Sequence, residues 1–306
     1  MSLPSWNPEV PADQSYVTQV RVTSQQLIEL DNQWGGIEVA GLANRAFRVV
    51  RQRVHSGNYL PGAERDLYSA GAELAEVAGW IAFDADRQAL ATELNHEALH
   101  LARLAGDKDI EHLTLLNAGM QAGYLGRTRE SILIAQTIID GGRISPRVHA
   151  MSLIRQARAY SRAGSRADSL KAFNQAQSLF LDGVSESDPA WAWWIDAHEI
   201  DGQHGAAYSE LGDPGRGIPL LYGVVKAAKK ETPRYRVVFT ARLLSDLIKA
   251  QAWRDAQDIA EELAANAGGI GSARAVTLLA RTADQINRQP TAPSTLRDTV
   301  RHIVQT

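Results

Sequence analysis

Apolar residues recur at helical spacing along almost the whole chain. From about Val17 onward they return every three to four residues, and no stretch alternates apolar and polar residues over the length of a strand. This pattern predicts an all-α fold of about fourteen helices with little or no β-strand. Most prolines fall where loops are predicted, which fits many helices joined by short connections.

The predicted helices fall into five pairs that share one sequence pattern. Each pair has an opening residue, a turn seven residues later, a small residue five beyond the turn, and a closing residue seven beyond that. The opening residues are Gly79, Gly119, Ala157, Gly205 and Leu244, at steps of 40, 38, 48 and 39 residues; the turns are Asp86, Gly126, Gly164, Gly212 and Gln251; the small residues are Ala91, Ser131, Ser169, Gly217 and Ala256; the closing residues are Ala98, Ile138, Ala176, Val224 and Leu263. Small residues let paired helices approach closely, and bulky ones fill the space between successive pairs.

This pattern is similar to the tetratricopeptide repeat, whose small, aromatic and turn-glycine positions have these offsets. The resemblance implies a helical-repeat solenoid wound as a right-handed superhelix. Two expected aromatic positions lack their aromatic residue, because Ala82 and Ala122 stand where Tyr160 and Tyr208 stand in later copies. The step also exceeds the usual repeat length of about 34 residues, which indicates longer helices or looser connections.

The regions on either side of the five pairs complete one predicted domain over residues 17–306. Residues 1–16 are expected to be disordered or extended, and residues 17–60 to form N-terminal helices separated by two glycines. The five pairs occupy residues 62–268. Residues 272–306 then predict two capping helices, which a solenoid needs to cover its last apolar face.

Composition narrows the functional classes. The chain has no cysteine, which excludes disulfides, thiolate zinc sites and cysteine nucleophiles. Its formal net charge of −3 provides no global basic field for nucleic acid. The N-terminus has neither a basic region nor an apolar core, and no run of about 18 apolar residues occurs. We therefore expect a soluble, cytoplasmic protein without membrane association.

One short stretch matches a catalytic motif. Residues 96–100, HEALH, have the HExxH pattern of zinc proteases, in which two histidines on one helical face bind the metal. The extended form of the motif fails, because Arg103 and Gly106 occupy its glycine and third-ligand positions. The stretch also lies in the second helix of the first pair, where Ala98 is the closing residue. We therefore expect a coincidental, solvated histidine pair, with no metal site and no enzymatic activity.

Two further clusters are open to a functional and a structural interpretation. The first is a basic stripe on the second predicted helix, formed by Arg45, Arg48, Arg51, Arg53 and His55. It is either a phosphate-binding site or, as we favour, a solvated or salt-bridged face. The second is the insertion that lengthens the third step, where Trp191, Trp193 and Trp194 are predicted to open a long helix. These tryptophans form either an aromatic wall beside a binding groove or, as we favour, ordinary packing.

The chain resembles the tetratricopeptide sensor region of actinobacterial helix-turn-helix transcriptional regulators. The stretches that carry the resemblance are LYSAGAELAEVAGWIAFDADR at Leu67, HEALHLARLAGD at His96, DPAWAWWIDAHEIDGQHGAAYSELGD at Asp188 and PRYRVVFTARLLSDLIKAQ at Pro233, and it spans roughly residues 17–304. Family members carry an N-terminal helix-turn-helix domain, and the segment before the first predicted helix is too short for one. The resemblance thus implies regulation and ligand sensing. We expect no sequence-specific DNA binding by this chain, which is either a sensor region without its reader or a free-standing relative acting through a partner, such as a DNA-binding protein.

In tetratricopeptide arrays the first helix of each pair lines the concave groove. The register places these residues on that inner face: Glu73, Glu76, Trp80, Asn117, Met120, Arg155, Arg158, Arg162, Glu199, Gln203, Arg242 and Ser245. Asn and Gln can clamp a peptide backbone, and Arg can hold a carboxylate through two parallel hydrogen bonds. The opposed charges favour an elongated zwitterionic ligand such as a peptide. We expect this site to face solvent, so the charge reversal Arg158→Glu should abolish binding of an anionic-ended ligand and leave the fold intact. The alternative is a hydrated groove whose charges pair with each other, for instance Arg158 with Glu199.

Three functions follow in order of preference. The first is a regulatory binding module that receives a peptide, a small metabolite or a protein segment and needs no cofactor. The second is a structural adaptor that holds two proteins together without sensing. The third is an enzyme, which rests only on the HEALH stretch and on His198, Glu199 and His204. The sequence leaves the oligomeric state open, a homodimer included.

Overall fold

The computed structural model describes residues 7, 9–181, 183, 185–227 and 237–305, and these residues are predominantly helical. Within them lie fourteen α-helices and short 3-10 helices at Pro61–Ala63, Ala190–Trp194 and Ala267–Gly269. No strand forms in the described part of the chain, where Ala12 and Tyr59 make an isolated β-bridge. The predicted all-α fold of about fourteen helices is therefore confirmed.

The chain divides into two compact units, of which the first is Met1–Ala118. Its helices are α1 (Gln14–Trp34), α2 (Gly36–His55), α3 (Glu64–Asp84), α4 (Gln88–Ala105) and the first part of α5 (Lys108–Tyr124). In this unit α3 packs against α1, α2 and α4. Gly71 of α3 allows this packing, because a Cβ there would lie 3.2 Å from Leu101 and 3.5 Å from Val50. The core of the unit is thus centred on α3.

The second compact unit is Gly119–Thr306. After the end of α5 it contains α6 (Thr128–Asp140), α7 (Pro146–Arg162), α8 (Arg166–Leu181), α9 (Ala197–Glu210), α10 (Pro214–Ala227), α11 (Val237–Lys249), α12 (Trp253–Ala265), α13 (Ala273–Asn287) and α14 (Ser294–Gln305). Helix α7 packs against α6, α8 and α9, while α11 packs against α9, α10, α12 and α13. The odd-numbered helices α7, α9 and α11 therefore follow one another along this unit.

The five turns predicted from the shared pattern all have the same backbone conformation. Asp86, Gly126, Gly164, Gly212 and Gln251 have φ angles of 56°, 77°, 77°, 72° and 56°. In each turn the next backbone N–H donates to the carbonyl oxygen five residues earlier, at 2.8–2.9 Å. This is the Schellman arrangement that ends a helix, in which a left-handed residue follows the last turn. The predicted turn positions are therefore confirmed.

In the hairpins α5–α6 and α9–α10 the opening residue of the pattern contacts its small residue, where the two helices approach closely. A Cβ on Gly205 of α9 would lie 2.8 Å from Leu221 Cγ and 3.1 Å from the carbonyl oxygen of Gly217. In the second hairpin Ser131 Oγ donates a 2.7 Å hydrogen bond to the carbonyl oxygen of Gly119. Larger side chains would force these helices apart. The alignment of the small positions therefore matches the packing of these hairpins.

The last two helices cover apolar surface at the C-terminal end of the second unit. Leu279 and Ile286 of α13 and Leu296, Val300 and Ile303 of α14 are buried in one cluster with side chains of α11 and α12. The spacing of these residues gives each helix one apolar stripe. Two helices thus lie within residues 272–306, and their role as caps of a solenoid stays a prediction.

The N-terminal segment is attached to the first unit. Helix α1 begins at Gln14 rather than near Val17, because Asp13 caps it by accepting a 3.0 Å hydrogen bond from the backbone N–H of Tyr16. Ala12 is buried and pairs with Tyr59. Residues 1–6 and 8 of the segment expected to be disordered or extended lie outside the described residues.

The tryptophan-containing insertion differs from the prediction. Its tryptophans lie in the 3-10 helix Ala190–Trp194 and do not open a long helix. Helix α9 begins later, at Ala197, because the Asp196 side chain accepts a 2.8 Å hydrogen bond from the backbone N–H of Glu199. An Asp at this position satisfies one of the free N–H groups of the first turn and defines the start of the helix.

Candidate functional site

The predicted groove residues all lie on the first helix of a hairpin. They are Glu73, Glu76 and Trp80 on α3, Asn117 and Met120 on α5, Arg155, Arg158 and Arg162 on α7, Glu199 and Gln203 on α9, and Arg242 and Ser245 on α11. Half of them are buried: Glu76, Asn117, Arg155, Arg158, Glu199 and Ser245. The other half are partly buried, and none is exposed. Buried polar groups are normally hydrogen-bonded, so the contacts of each residue show whether its polar atoms are available to a ligand.

Glu210, at the end of α9, is the centre of a charged cluster in the second unit. Its Oε1 accepts hydrogen bonds from Arg158 Nη2 at 2.7 Å and Arg162 Nε at 3.0 Å, and its Oε2 accepts one from Ser161 Oγ at 2.7 Å. Arg158 Nη1 also donates to the carbonyl oxygen of Gln203 at 3.2 Å. These bonds join the last turns of α7 to α9 and position two guanidinium groups around one carboxylate.

The cluster contains more positive than negative charge. Burial opposes ionisation of Glu210, but the charges of Arg158, Arg162 and Arg242 outweigh it, so the pKa of this carboxyl group lies below its ordinary value. The pKa of Arg158 is lowered by burial and then by the charges of Arg162, Arg242 and Arg155, while Glu210 opposes the shift. Three guanidinium groups therefore act on the Glu210 carboxylate, which leaves an excess of cationic charge at this position.

Arg162 occupies space beside a glycine of α5. A Cβ on Gly123 would overlap Arg162 Nη1, so the guanidinium group lies where a side chain at position 123 would be. The side chain of Arg162 is 23% exposed, against 8% for Arg158. Solvent therefore reaches the cluster on the side of Arg162.

Arg242 lies on the part of α11 that packs against α9. One turn earlier Phe239 contacts Gly202, where its ring atoms would lie 2.6–2.9 Å from an added Cβ. One turn later the Asp246 carboxylate accepts a hydrogen bond from Ser209 Oγ. Positions three and seven residues apart share a helical face, so Arg242 lies between these two contacts. Its side chain is partly buried, and its charge acts on the carboxylate of α9 described above.

The expectation that Arg158 faces solvent is wrong, because its side chain is buried. The alternative in which groove charges pair with each other named Glu199 as the partner of Arg158. The carboxylate that Arg158 contacts is that of Glu210. Glu199 is itself buried and accepts a 2.8 Å hydrogen bond from Gln203 Nε2, four residues along the same helix. A charge reversal of Arg158 would place two carboxylates together inside the unit, so the fold would not be left intact.

A second polar pair lies in the first unit, between α3 and α5. Asn117 Nδ2 donates to Glu76 Oε1 at 2.5 Å. Burial and then the charge of Glu73 raise the pKa of Glu76 to about 8, and the bond from Asn117 opposes them only in part. The pKa of Glu73 is raised as well, by burial first and by the charge of Asp107, against the opposing charge of Arg21. At neutral pH Glu76 therefore carries a proton in most molecules.

The remaining predicted residues have mainly packing contacts. The rings of Trp80 and Phe83 lie 6.0 Å apart on α3. Ser245 Oγ donates to Gln285 Oε1 at 3.3 Å, and Gln285 Nε2 donates to the Ser245 carbonyl oxygen at 3.1 Å, which links α11 to α13. Met120 is half-buried on α5. Ser245 is thus part of a helix contact.

The HEALH stretch lies on α4 of the first unit. His96 and His100 are both exposed, and Glu97 forms a 3.1 Å ion pair with Arg51 Nε. Nowhere in the described part of the chain do three or more His, Cys, Asp or Glu side chains meet in a group that could hold a metal ion. The stretch therefore presents two exposed histidines beside an ion pair.

The basic stripe of α2 divides into different environments. Arg51 forms ion pairs with Glu93 at 3.0 Å and Glu97 at 3.1 Å, which agrees with a salt-bridged face. Arg53 is buried, and its Nη1 donates hydrogen bonds to two carbonyl oxygens in the segment 7–10. Arg51 thus contacts two carboxylates, and Arg53 contacts backbone carbonyl groups.

The insertion between α8 and α9 presents one tryptophan to solvent. Trp193 is 63% exposed, whereas the rings of Trp191 and Trp194 are partly buried and stack with centroids 6.4 Å apart. Arg147 of α7 holds the segment by donating from Nη1 to the Ala192 carbonyl oxygen at 3.2 Å. The insertion is thus partly packed, as the structural interpretation expected, and partly exposed.

His204, one of the residues on which an enzymatic function could rest, is packed between two rings. Its imidazole stacks on Phe173 at 4.4 Å and on Tyr208 at 4.8 Å between centroids. Burial lowers its pKa, which favours the neutral ring. Its Nε2 has no hydrogen-bond partner among the residues that the structure describes. The contacts of His204 are therefore those of an aromatic packing residue.

Sequence reasoning missed Glu210, Ser161 and Gly123, although each contributes to the charged cluster. A signal existed for Glu210, since it follows Gln203 by seven residues and so shares its helical face. A carboxylate on that face was the natural counterpart of the arginines on α7. Gly123 had no such signal, because its importance depends on where the guanidinium group of another helix lies.

No protein-family model matches the chain, and no curated protein matches it significantly. In the described ranges, no helix combines the length and apolar character that crossing a bilayer requires. The interpretation of the site therefore depends on its own geometry and charge.

Proposed function

We propose that this protein is a regulatory tetratricopeptide-type module that binds a peptide, a small metabolite or a protein segment and acts through a partner protein. The observation that carries the proposal is the cationic cluster on α7, α9 and α11. There Arg158, Arg162 and Arg242 act on the single carboxylate of Glu210. Guanidinium groups hold carboxylates and phosphates through paired, charge-assisted hydrogen bonds, so the excess positive charge suits an anionic ligand group.

The shared hairpin features support the repeat part of this proposal. Five equivalent left-handed turns and closely packed small residues are what a tetratricopeptide solenoid with a right-handed superhelix requires. In such an array α7, α9 and α11 line the concave surface. The resemblance to sensor regions of actinobacterial helix-turn-helix regulators assigns the module a cytoplasmic regulatory role, with DNA contact made by the partner.

Packing alone gives no reason for the arginines that α7 and α11 direct towards Glu210 of α9. Burying a charged pair costs desolvation energy, and well-packed apolar residues of similar volume are often as stable or more stable. Arg158 is nevertheless only 8% exposed. A binding role accounts for this arrangement, because fixed guanidinium groups recognise an anion without first having to be ordered.

A ligand screen with a structural readout tests the proposal. Peptides and metabolites of anionic, neutral and cationic classes would be screened by thermal shift against the whole chain. Each compound that stabilises the protein would then be examined by hydrogen–deuterium exchange. We expect protection of α7, α9 and α11. The proposal fails if no class stabilises the protein, or if protection is confined to α8, α10 and α12.

A structural adaptor is the second candidate, and the exposed apolar residues of the insertion region favour it. Leu181 and Trp193 are 76% and 63% exposed, which suits contact with another protein. A pull-down with Trp193→Ser distinguishes the two functions, with Leu133→Ser as a control because Leu133 is 57% exposed on α6. Loss of a partner in Trp193→Ser alone, with no ligand for the cationic cluster, would favour the adaptor.

A further inference from the structure

We infer that Arg162 and Arg242 form an oxyanion site, which holds a carboxylate or phosphoryl group of the ligand on the open side of the Glu210 cluster. The inference rests on the proposed binding function and narrows its ligand class. It depends on three features of the second unit: guanidinium N–H groups without hydrogen-bond partners among the described residues, a carboxylate whose two oxygens both already accept hydrogen bonds, and access from solvent.

The donors come from both arginines. Arg162 uses Nε for its bond to Glu210, and its Nη1 and Nη2 have no hydrogen-bond partner among the described residues. Arg242 likewise has no hydrogen-bond partner in the described part of the chain. Each guanidinium group presents N–H donors in a planar fork that matches the two oxygens of a carboxylate or phosphate.

Glu210 positions these donors, but its single negative charge does not neutralise the arginines around it. Both of its oxygens already accept hydrogen bonds, from Arg158 and Arg162 on one side and from Ser161 on the other. The charges of three guanidinium groups, those of Arg158, Arg162 and Arg242, thus act on this one carboxylate. Cations held close together away from bulk water repel one another, and an incoming anion relieves that repulsion.

The site is accessible and its shape is constrained. Arg162 is 23% exposed, and Arg242 is partly buried between the contacts that Phe239 and Asp246 make with α9. Gly123 of α5 leaves room for the Arg162 guanidinium group, because a Cβ at position 123 would overlap Nη1. An oxyanion can therefore approach the cluster from the side of Arg162, and the contacts of α11 with α9 position Arg242 next to it.

A monoanionic carboxylate and a dianionic phosphate use the same donors, so the experiment needs two arms. The whole chain would be titrated calorimetrically with sodium phosphate and, separately, with sodium acetate, at constant ionic strength set with sodium chloride. We expect saturable binding of at least one of them in the millimolar range, which suits a single ionic group without the rest of a ligand. Phosphate binding alone would indicate a phosphorylated ligand, and acetate binding alone a carboxylate.

Three variants make the test specific. Arg242→Gln should weaken binding by about tenfold or more, as expected when charged hydrogen bonds are lost. Arg242→Lys keeps the positive charge but lacks the planar guanidinium group. Its affinity for the anion should therefore lie between that of Arg242→Gln and that of the unmodified protein. Arg281→Gln is the matched control, because Arg281 is exposed on α13 and the substitution makes the same change in net charge.

Two results would overturn the inference. One is the absence of saturable binding of either anion up to about 50 mM, well beyond the range expected for an ionic contact. The other is binding that weakens equally in Arg242→Gln and Arg281→Gln, since this would reflect only the general charge of the protein. If either occurs while a neutral or cationic ligand protects α7, α9 and α11 from exchange, the proposed binding function stands and the oxyanion site does not.

Discussion

Gly123 of α5 and Arg162 of α7 are in direct contact, and the guanidinium group fills the space beside the glycine backbone. The same guanidinium donates from Nε to Glu210 at 3.0 Å. Gly123 therefore determines how close Arg162 can come to α5 and hence where its remaining donors lie. A residue without a side chain thus helps to form the charged cluster.

Gly123→Ala should displace Arg162 and weaken its bond to Glu210. The matched control is Gly119→Ala on the same helix, where an added Cβ meets Ile134 at an ordinary 3.5 Å. Alanine favours a helix over glycine, so Gly119→Ala should stabilise the protein by roughly 0.5–1 kcal/mol. In Gly123→Ala the same gain should be offset, because the variant weakens the charged hydrogen bond between Arg162 and Glu210, and such a bond is worth about 1.5–3 kcal/mol. Urea unfolding measures both, and equal stabilities would contradict the proposed contact.

Arg158→Glu should destabilise the second unit strongly. It removes a buried cation and places a second carboxylate beside Glu210, and breaking one side of a buried ion pair typically costs about 3–5 kcal/mol. Arg301→Glu is the control, because Arg301 pairs with Asp298 at the surface with 54% and 70% of the side chains exposed. That change should cost about 1 kcal/mol or less. Circular dichroism during urea unfolding separates the two, and similar midpoints would show that Arg158 is solvated.

The turns could be predicted from sequence because a left-handed residue at a helix end is a local property. Glycine adopts that conformation without strain, and three of the five turn positions are Gly126, Gly164 and Gly212. The shared pattern also predicted turns at Asp86 and Gln251, although neither residue is a glycine. Helix pairing therefore followed from short-range spacing alone.

The charged cluster could be predicted only in part. The helical period predicts that Arg158 and Arg162 share one face of α7. It does not predict burial, because solvent-exposed and buried faces have the same spacing. Their partner Glu210 is 52 and 48 residues away in sequence, so only the packing of α7 on α9 brings them together. Burial and pairing of charges are tertiary properties, which explains why Arg158 was wrongly expected to face solvent.

The stability of the first unit should fall as pH rises from about 5 to 8 because of Glu76. Its pKa is raised from 4.5 to about 8 in the folded protein, so the folded state binds a proton that the unfolded state has released. Stability therefore decreases with pH across that window, by an amount on the order of 3 kcal/mol. Glu76→Gln retains an acceptor for Asn117 and removes the titration. Its stability should vary less between pH 5 and 8, and an unchanged pH profile would contradict the assignment.

Gln251→Gly should stabilise the last of the five turns. Gln251 has a φ of 56°, where a non-glycine residue is strained by about 1–2 kcal/mol. Glycine removes this strain but gains freedom in the unfolded chain, so the net increase should be about 0.5–1 kcal/mol. Asp258→Gly, at an exposed position inside α12, is the control and should destabilise the protein by roughly 0.1–0.3 kcal/mol. Thermal unfolding that shifts both variants in the same direction would contradict the prediction.

Gly205→Leu should disrupt the closest approach between α9 and α10. A single added Cβ would already lie 2.8 Å from Leu221 Cγ and 3.1 Å from the Gly217 carbonyl oxygen, and the latter cannot move without shifting the backbone. Overpacking of this kind costs about 1–3 kcal/mol or more. Gly215→Leu is the control, because nothing lies within 4 Å of a Cβ at position 215 on α10. A large loss of stability in Gly205→Leu alone would support the helix contact on which the repeat alignment depends, whereas equal stabilities would mean that α9 and α10 pack differently.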